Sequence, residues 1–446
     1  MSGAARRVTL FPLIAATYFM VSGGPYGLEE LVASAGYGRA LLVLAVTPIV
    51  WSLPTALAVG ELASAIPEEG GYYAWVRRAM GPFWGFQEAW LSLAASVFDM
   101  AIYPTLFTLY LARLVPAAGE GRAPMVLGAA MIFACAAWNA RGARAVGGSA
   151  LVMTVLLLAP FVALSALALL HPHAAAAPAA ARPREGGSLL AGILVAMWNY
   201  MGWDNASTIA GEVSRPQRTY PLAMIGAVVL VTLGYLVPVY AVSTSGLDPS
   251  AWTTGGWVDV AEAIAGEPLA TAVVLGGVVC GVGMFNVLVL SYSRLPMVLA
   301  EDGYLPAVLA RRYGPGDVPI PALALCAVAY TACLGLGFQR LVEIDVLLYG
   351  LSLFLELAAL VALRVREPDL PRPFRLPGGT AGAVAIGVPP MALLAVAVVN
   401  GRHEQAGSVS ALAVGGAVIA AGPALYAIAS RSRREKGRVR APADAA

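Results

Sequence analysis

Residues 22–30, with the sequence SGGPYGLEE, interrupt the first apolar segment of the chain. Three glycines and a proline within six residues disfavour a continuous helix, and the apolar pattern resumes beyond them. We expect Pro25 and Tyr26 to begin a new half-helix that carries Glu29 and Glu30 in its first two turns. The pattern therefore predicts a broken helix with acidic residues beside the break.

The sixth apolar segment carries a second interruption, at residues 198–207, with the sequence WNYMGWDNAS. It is the first segment of the second half if the fold consists of two five-helix units. Paired interruptions in matching positions are typical of a transporter site near the bilayer midplane. Irregular backbone persists at that depth only where it lines protein or a water-filled cavity.

The composition places both breaks in a membrane protein. Of the 446 residues, 59% are hydrophobic and 12% are charged, and the mean hydropathy is +0.75. Soluble domains carry roughly 25% charged residues, so this chain lacks the charged surface of a soluble enzyme. It is also too apolar for a disordered protein. The net charge of +2 offers no basic surface for nucleic acid.

We expect twelve membrane-spanning segments of about 20 residues each. They lie at 8–34, 38–66, 82–112, 124–140, 148–171, 188–212, 221–244, 268–299, 319–338, 341–364, 381–400 and 408–429. The predicted organisation is a cytoplasmic N-terminus (1–7), a first five-helix unit (8–171), an extracytoplasmic connector (172–187), a second five-helix unit (188–366), a loop with helices 11 and 12 (367–429), and a basic, disordered cytoplasmic tail (430–446).

The basic residues orient this topology. With the N-terminus inside, the inner loops and tail hold 21 of the 28 Lys and Arg residues. Cytoplasmic loops are enriched in Lys and Arg, so we expect both termini in the cytoplasm of an inner or plasma membrane. The first segment imitates a signal peptide, but the break at 23–25 and the acids at 29–30 favour its retention.

Cysteine and histidine offer no catalytic, metal or cofactor site. The four cysteines lie in apolar stretches without CxxC spacing, which is typical of packing residues, and the three histidines fall in outer loops. We therefore predict no catalytic residue, no metal and no cofactor. A titrating group inside the membrane has to be a carboxylate.

Acidic residues inside apolar segments are costly and indicate function by default. Glu29, Glu30, Asp99 and Asp204 meet that description and predict a negative cavity at the midplane. Each also has a structural interpretation. The glutamates can complement a half-helix N-terminus, Asp204 can cap the following turn, and Asp99 can pair with a neighbouring helix.

Five further stretches carry recognisable motifs: GELASAIPEEGGYY at 60–73, GPFWGF at 81–86, GEVSRP at 211–216, SRLP at 293–296 and DGYLP at 302–306. Together, in order and over residues 8–376, they resemble the amino acid–polyamine–organocation transporters. The resemblance implies an all-α, LeuT-like fold of two inverted five-helix repeats and two C-terminal helices. Helices 1 and 6 are then broken, and transport is by alternating access.

Within that superfamily, several stretches resemble plant and protist polyamine uptake permeases, relatives of the L-type amino acid transporters. They are GPYGLEE at 24–30, PIVWSLP at 48–54, Asp99 with Tyr103-Pro104, Trp198-Asn199 and Trp203-Asp204. The stretch YMGW at 200–203 also resembles the amino acid branch, where the position of Trp198 is an aromatic gate over the substrate.

The residue types at the breaks favour a cationic substrate. Amino acid permeases of the superfamily bind a substrate carboxylate through backbone N–H groups at the first break; here Pro25 has no N–H, although Gly23, Gly24 and Tyr26 still offer theirs. A polyamine instead needs spaced acids and aromatic faces. The predicted substrate-binding residues are Ser22, Gly23, Gly24, Tyr26, Glu29, Glu30, Asp99, Tyr103, Trp198, Asn199, Trp203 and Asp204.

The sequence thus predicts a secondary-active permease that imports polyamines or cationic amines across a lipid bilayer. A buried carboxylate favours protons as the coupling ion rather than sodium. The fifth segment has no lysine in place of a sodium ion, so sodium symport and exchange stay open. The alternatives are a permease or exchanger of neutral or cationic amino acids and a transporter-like amine sensor. A membrane enzyme would need a nucleophile–base or metal constellation, and the sequence contains none.

Overall fold

The computed structural model describes residues 8–170, 189–314, 316–335, 338–400 and 411–440. In these ranges the chain is helical, and extended pairing is limited to isolated bridges between Val8 and Val213 and between Tyr313 and Val318. The predicted all-α class is therefore confirmed. The segment 1–7 and the connector 172–187 lie outside the described residues.

Sixteen α-helices make up the described chain. They are α1 (Leu10–Val21), α2 (Glu29–Thr47), α3 (Leu53–Ala65), α4 (Tyr72–Met80), α5 (Pro82–Leu114), α6 (Ala123–Asn139), α7 (Ala143–Leu170), α8 (Leu189–Asn199), α9 (Pro216–Ser243), α10 (Trp257–Ala265), α11 (Glu267–Tyr292), α12 (Arg294–Glu301), α13 (Ile320–Ala332), α14 (Phe338–Arg366), α15 (Gly379–Asn400) and α16 (Ala411–Arg440). A π-helical turn links α2 to α3, and a 3₁₀ segment, Trp203–Glu212, follows α8.

Eight stretches of helix among the described residues are long and apolar enough to cross a bilayer. They are Glu29–Ala65, Pro82–Leu114, Ala143–Leu170, Pro216–Ser243, Glu267–Glu301, Arg340–Arg366, Gly379–Val396 and Ala413–Arg431. Shorter apolar helices are α1, α6 and α13. The chain is a multi-pass membrane protein.

The first break lies between α1 and α2. Helix α1 ends at Val21, and α2 begins at Glu29, four residues later than Pro25, where we expected the half-helix to begin. The reason lies at Gly24 and Gly27, which have φ angles of 74° and 91°. These left-handed conformations suit glycine and prevent a right-handed helix from starting before them. Both predicted acids still lie in the first turn of α2.

The second break lies between α8 and the 3₁₀ segment. Gly202 has a φ of 92°, and a Cβ built there would lie 2.4 Å from the carbonyl oxygen of Met20. The two breaks are therefore in direct contact, and glycine allows the close approach. Parallel pairing of Val8 with Val213, with a 2.9 Å hydrogen bond from Ser214 N–H to the Val8 carbonyl, joins the same two regions again at the start of α1.

Long helices surround the breaks. Helix α5 packs against α11 and α14, and α1 packs against α7 and α9. The 3₁₀ segment after the second break packs against α1, α3 and α11. Residues of α5 and α11 contact the first break, and residues of α11 and α14 contact the second.

The tail departs from the predicted disorder. Helix α16 continues through the basic stretch to Arg440, so the prediction is wrong for residues 430–440. Arg, Lys and Glu are strong helix formers, and the first proline after this run is Pro442. Residues 441–446 lie outside the described chain.

A buried ion pair joins α3 to α14. Glu61 accepts hydrogen bonds from Arg364 Nε at 2.9 Å and Nη2 at 2.5 Å, and from the Leu376 N–H at 2.7 Å. Arg372 lies 3.4 Å from the same carboxylate. Glu61 is the acidic residue of the GELA motif at 60–63, so the ion pair gives this residue a structural role.

We expect Glu61→Gln to lower the free energy of unfolding by about 3–5 kcal/mol, because it leaves Arg364 buried without a counter-charge. Thermal or denaturant unfolding of the purified protein in detergent measures the change. The matched control is Glu367→Gln, which removes a pair with Arg78 that is more than 30% exposed on both sides. Its cost should stay below about 1 kcal/mol. Similar losses in the two variants would contradict the assignment.

Candidate functional site

Asp99 is the centre of a buried polar cluster. Its Oδ1 accepts hydrogen bonds from the Tyr103 hydroxyl at 2.6 Å and from Trp198 Nε1 at 3.3 Å. Its Oδ2 accepts one from the Tyr292 hydroxyl at 3.3 Å. The Tyr103 and Trp198 rings stack with centroids 6.3 Å apart. Asp99 therefore pairs with the neighbouring helices α8 and α11, and with Tyr103 on its own helix, through uncharged donors.

Asp204 lies just past the second break and contacts α14. Its Oδ1 accepts a 2.5 Å hydrogen bond from the Tyr349 hydroxyl, and that hydroxyl accepts the Gly202 N–H at 3.0 Å. Asp204 thus bonds across the break to another helix, and Gly202, not Asp204, is the N-cap of the 3₁₀ segment.

Asp345 on α14 is a third acid that the sequence argument missed. It is 1% exposed, and its Oδ2 has no hydrogen-bond donor among the described residues. It lies close enough to Asp99 and to Asp204 for its charge to interact with each of them. A sequence signal was present: Asp345 precedes Tyr349 by four residues, as Asp99 precedes Tyr103. This spacing places each tyrosine beside its acid on one helix face.

The 3₁₀ segment bonds to α11 beside Asp99. Ser291 Oγ donates to the Asn205 carbonyl at 3.0 Å, and Thr208 Oγ1 lies 3.0 Å from Ser291 Oγ. Asn205 Nδ2 donates to the Tyr292 hydroxyl at 3.3 Å. Tyr292 thereby links the segment that carries Asp204 to Asp99. The sequence did not predict these four linking residues, Asn205, Thr208, Ser291 and Tyr292, as part of the site. A hydroxyl or amide side chain in an apolar helix does not by itself indicate a site.

Glu29 belongs to a separate cluster. Its carboxylate accepts hydrogen bonds from the Gly27 N–H at 2.6 Å, the Tyr110 hydroxyl at 2.6 Å and the Gly255 N–H at 3.1 Å. The Tyr26 hydroxyl donates to the Val273 carbonyl at 2.6 Å. These contacts join the start of α2 to α5 and α11. They agree with the interpretation that Glu29 complements the N-terminus of the half-helix. Glu30 is half-buried at the same turn.

Most of the other predicted residues form hydrogen bonds with the backbone at or beside the two breaks. Ser22 Oγ accepts the Gly24 N–H at 3.0 Å, and a Cβ on Gly23 would collide with Cys280 Sγ. Asn199 Nδ2 donates to the Val195 carbonyl at 2.9 Å, and the Asn199 carbonyl accepts from the Tyr235 hydroxyl at 2.7 Å. Trp203 Nε1 donates to the Tyr200 carbonyl at 2.8 Å.

The structure thus brings together Asp99, Asp204 and Asp345, with an aromatic lining of Tyr103, Trp198, Tyr292 and Tyr349. Among the described residues, no Lys or Arg forms an ion pair with any of the three acids. Acids and aromatic faces without a protein cation suit an organic cation. No group of acids, histidines or cysteines in the described chain has the arrangement of a metal site.

Comparison with known proteins gives a consistent result. The family model described as amino acid permease matches residues 14–423. The polyamine transporter PUT1 of Oryza sativa subsp. japonica is 38% identical over 89% of this chain and 74% of its own length. Polyamine transporter RMV1 of Arabidopsis thaliana is 33% identical over 88% and 81%. The cystine/glutamate transporter of Pongo abelii is 26% identical over 79% and 72%.

We expect Gly202→Ala to lower the Tm in detergent by several degrees. The substitution forces an L side chain into a left-handed conformation, which costs roughly 1–2 kcal/mol, and it drives the Cβ into the backbone at Met20. The matched control is Gly38→Ala in α2, where nothing lies within 4 Å of the new Cβ. An unchanged Tm for both variants would contradict the contact between the two breaks.

Proposed function

Because the chain belongs to the amino acid permease family, we propose that it is a secondary-active permease that imports polyamines or related cationic amines by alternating access. The family and the relatives support a membrane transporter of polyamines or amino acids, and not an enzyme. The preference for polyamines rests on the geometry of the site and on relatives named as polyamine transporters.

The cluster of Asp99, Asp204 and Asp345 carries the proposal. Three carboxylates so close together in an apolar interior need cations or protons to balance their charge. A polyamine brings several ammonium groups, each a donor of charge-assisted hydrogen bonds. Trp198 and the tyrosines supply aromatic faces, which contribute about 0.5–2 kcal/mol per cation–π contact.

The first break is a poor site for a substrate carboxylate. Such a group would need free N–H donors there. The Gly24 N–H already donates to Ser22, the Gly27 N–H donates to Glu29, and Pro25 has none, which leaves the N–H groups of Gly23 and Tyr26. The three acids would in addition repel a carboxylate. The amino acid alternative is therefore weaker, although a distant relative is named as a transporter of cystine and glutamate.

We further propose the twelve-helix, five-plus-five topology. The eight apolar spans account for eight segments, and α1, α6, α8 and α13 supply the other four. The two repeats then begin with broken helices: α1 with the part of α2 that precedes its kink at Gly36, and α8 with its 3₁₀ segment. The excess of Arg in the inner loops supports cytoplasmic termini in an inner or plasma membrane.

Proton coupling follows from charge balance in this proposal. The three acids exceed the two charges of a diamine, so a proton on one of them completes the balance when a diamine binds. The chain contains a single lysine, Lys436, outside the apolar segments, so the acids are the candidate proton carriers. Symport of protons with the amine is the resulting mechanism.

Uptake into proteoliposomes tests the substrate and the coupling ion. We expect an inward proton gradient to drive accumulation of labelled putrescine and a sodium gradient to have no effect. Unlabelled putrescine and spermidine should displace the label, whereas leucine and arginine should not. Displacement by leucine or arginine alone would support the amino acid alternative. Saturable binding without accumulation would support the sensor.

Asparagine variants test the cluster. We expect Asp204→Asn and Asp345→Asn each to reduce amine uptake at least about tenfold, since a charge-assisted hydrogen bond is worth about 1.5–3 kcal/mol. The control is Arg431→Gln, an exposed change in α16 that should leave uptake unaltered. Normal uptake by Asp204→Asn at normal surface expression would assign Asp204 a structural role only.

A further inference from the structure

Two helices that line the site each carry a second acid. Helix α5 holds the buried acids Glu88 and Asp99, and α14 holds the buried acids Asp345 and Glu356; the two acids of each helix stand eleven positions apart in the sequence. Eleven residues make about three helical turns, so both acids lie on one face and about 16 Å apart. We refer to Asp99 and Asp345 as the upper pair and to Glu88 and Glu356 as the lower pair.

The two helices run in opposite directions and bring the acids into register. They pack against each other. Asp345 is close enough to Asp99, and Glu356 is close enough to Glu88, for each pair of charges to interact. Asp204 interacts with both Asp345 and Glu356 and therefore lies between the two levels.

The lower pair is buried and short of hydrogen-bond partners. Glu88 is 0% and Glu356 is 2% exposed. Neither carboxyl oxygen of Glu356 has a hydrogen-bond partner among the described residues, and Glu88 has only the Ser92 hydroxyl, at 2.7 Å from Oε1. The Tyr72 hydroxyl at the start of α4, fully buried and near both glutamates, also has no partner.

Groups of this kind need a donor. Buried polar atoms in native proteins are almost always hydrogen-bonded, and an unpaired buried acid is costly. No Lys or Arg of the described chain forms an ion pair with Glu88 or Glu356. The elements that carry them, α4, α5 and α14, pack against one another, so the three polar groups converge on one point.

Three small side chains lie between the levels, together with the ring of Tyr349 on the same face of α14. Ser92 and Ala95 lie between Glu88 and Asp99 on α5, and Ser352 lies between Asp345 and Glu356 on α14. All three are buried. A polymethylene chain can pass such a surface with less obstruction than it would meet between large side chains.

We propose that Glu88, Glu356 and Tyr72 form a second ammonium subsite, which binds the far end of a long polyamine while its near end occupies the upper pair. This inference rests on the proposed transport of amines. A tetraamine such as spermine, when extended, has terminal ammonium groups separated by a distance similar to that between the two levels. A diamine is too short to reach both. The lower subsite therefore selects for chain length, on the side that the topology assigns to the cytoplasm.

Competition for putrescine uptake in proteoliposomes tests the subsite. We expect Glu88→Gln and Glu356→Gln to weaken inhibition by spermine about tenfold and to leave inhibition by putrescine within about twofold. Tyr72→Phe keeps the aromatic ring but removes the hydroxyl, and it should also weaken the inhibition of putrescine uptake by spermine. N-butylputrescine, a diamine without the two further ammonium groups of spermine, should bind to all variants as it does to the unchanged protein. Glu262→Gln, an exposed change, is the matched control.

The outcomes separate the two proposals. If the unchanged protein accumulates no amine and none raises its Tm, the proposed function and the subsite both fail. If putrescine uptake persists but the variants weaken all amines equally, the lower pair is a shared proton site or a structural element, and the subsite alone is wrong. Unaltered inhibition by spermine in all three variants also overturns the subsite.

Discussion

The desolvation of carboxylates in an apolar interior is the constraint on which this structure depends. The protein meets it in three ways. Glu61 has an arginine partner, Arg364, and joins two helices. Glu29 has three hydrogen-bond donors and fastens the first half-helix. Asp345 and Glu356 have carboxyl oxygens with no hydrogen-bond donor in the described chain. A cation or a proton from outside therefore has to balance their charge.

The second constraint is that irregular backbone at membrane depth has to be satisfied by the protein itself. Here glycines with positive φ allow each break, and side chains such as Ser22 accept the N–H groups that the helices release. The contact of Gly202 with the Met20 carbonyl places the two breaks together. Asp204, after the second break, lies near Asp345 on the long helix α14, and Asp345 in turn lies near Asp99 on α5. In the proposed function, a substrate that binds these acids connects a broken helix with continuous ones.

The hydrogen bonds that Asp99 accepts can be replaced by those of an ammonium group. Asp99 has three donors, but two of them lie at 3.3 Å and all are uncharged. An ammonium group forms stronger, charge-assisted bonds and can displace the weaker ones. Glu29, by comparison, accepts two hydrogen bonds at 2.6 Å. One comes from the N–H of Gly27, two residues earlier in the chain, and the other from the Tyr110 hydroxyl. Glu29 is therefore held more tightly than Asp99, which agrees with the proposal that Asp99 binds the substrate.

Local chemistry in the sequence determined the membrane class, the two breaks and the acids Asp99 and Asp204, because apolar length, glycine and proline, and mid-segment charge are all properties of short stretches. The same local evidence misplaced the start of α2 at Pro25 and treated Glu29 as equivalent to Asp99. Only the tertiary structure added Asp345, Glu88 and Glu356. Whether a buried acid has a partner depends on helices that meet in space while lying far apart in the chain, and no short pattern records that distance.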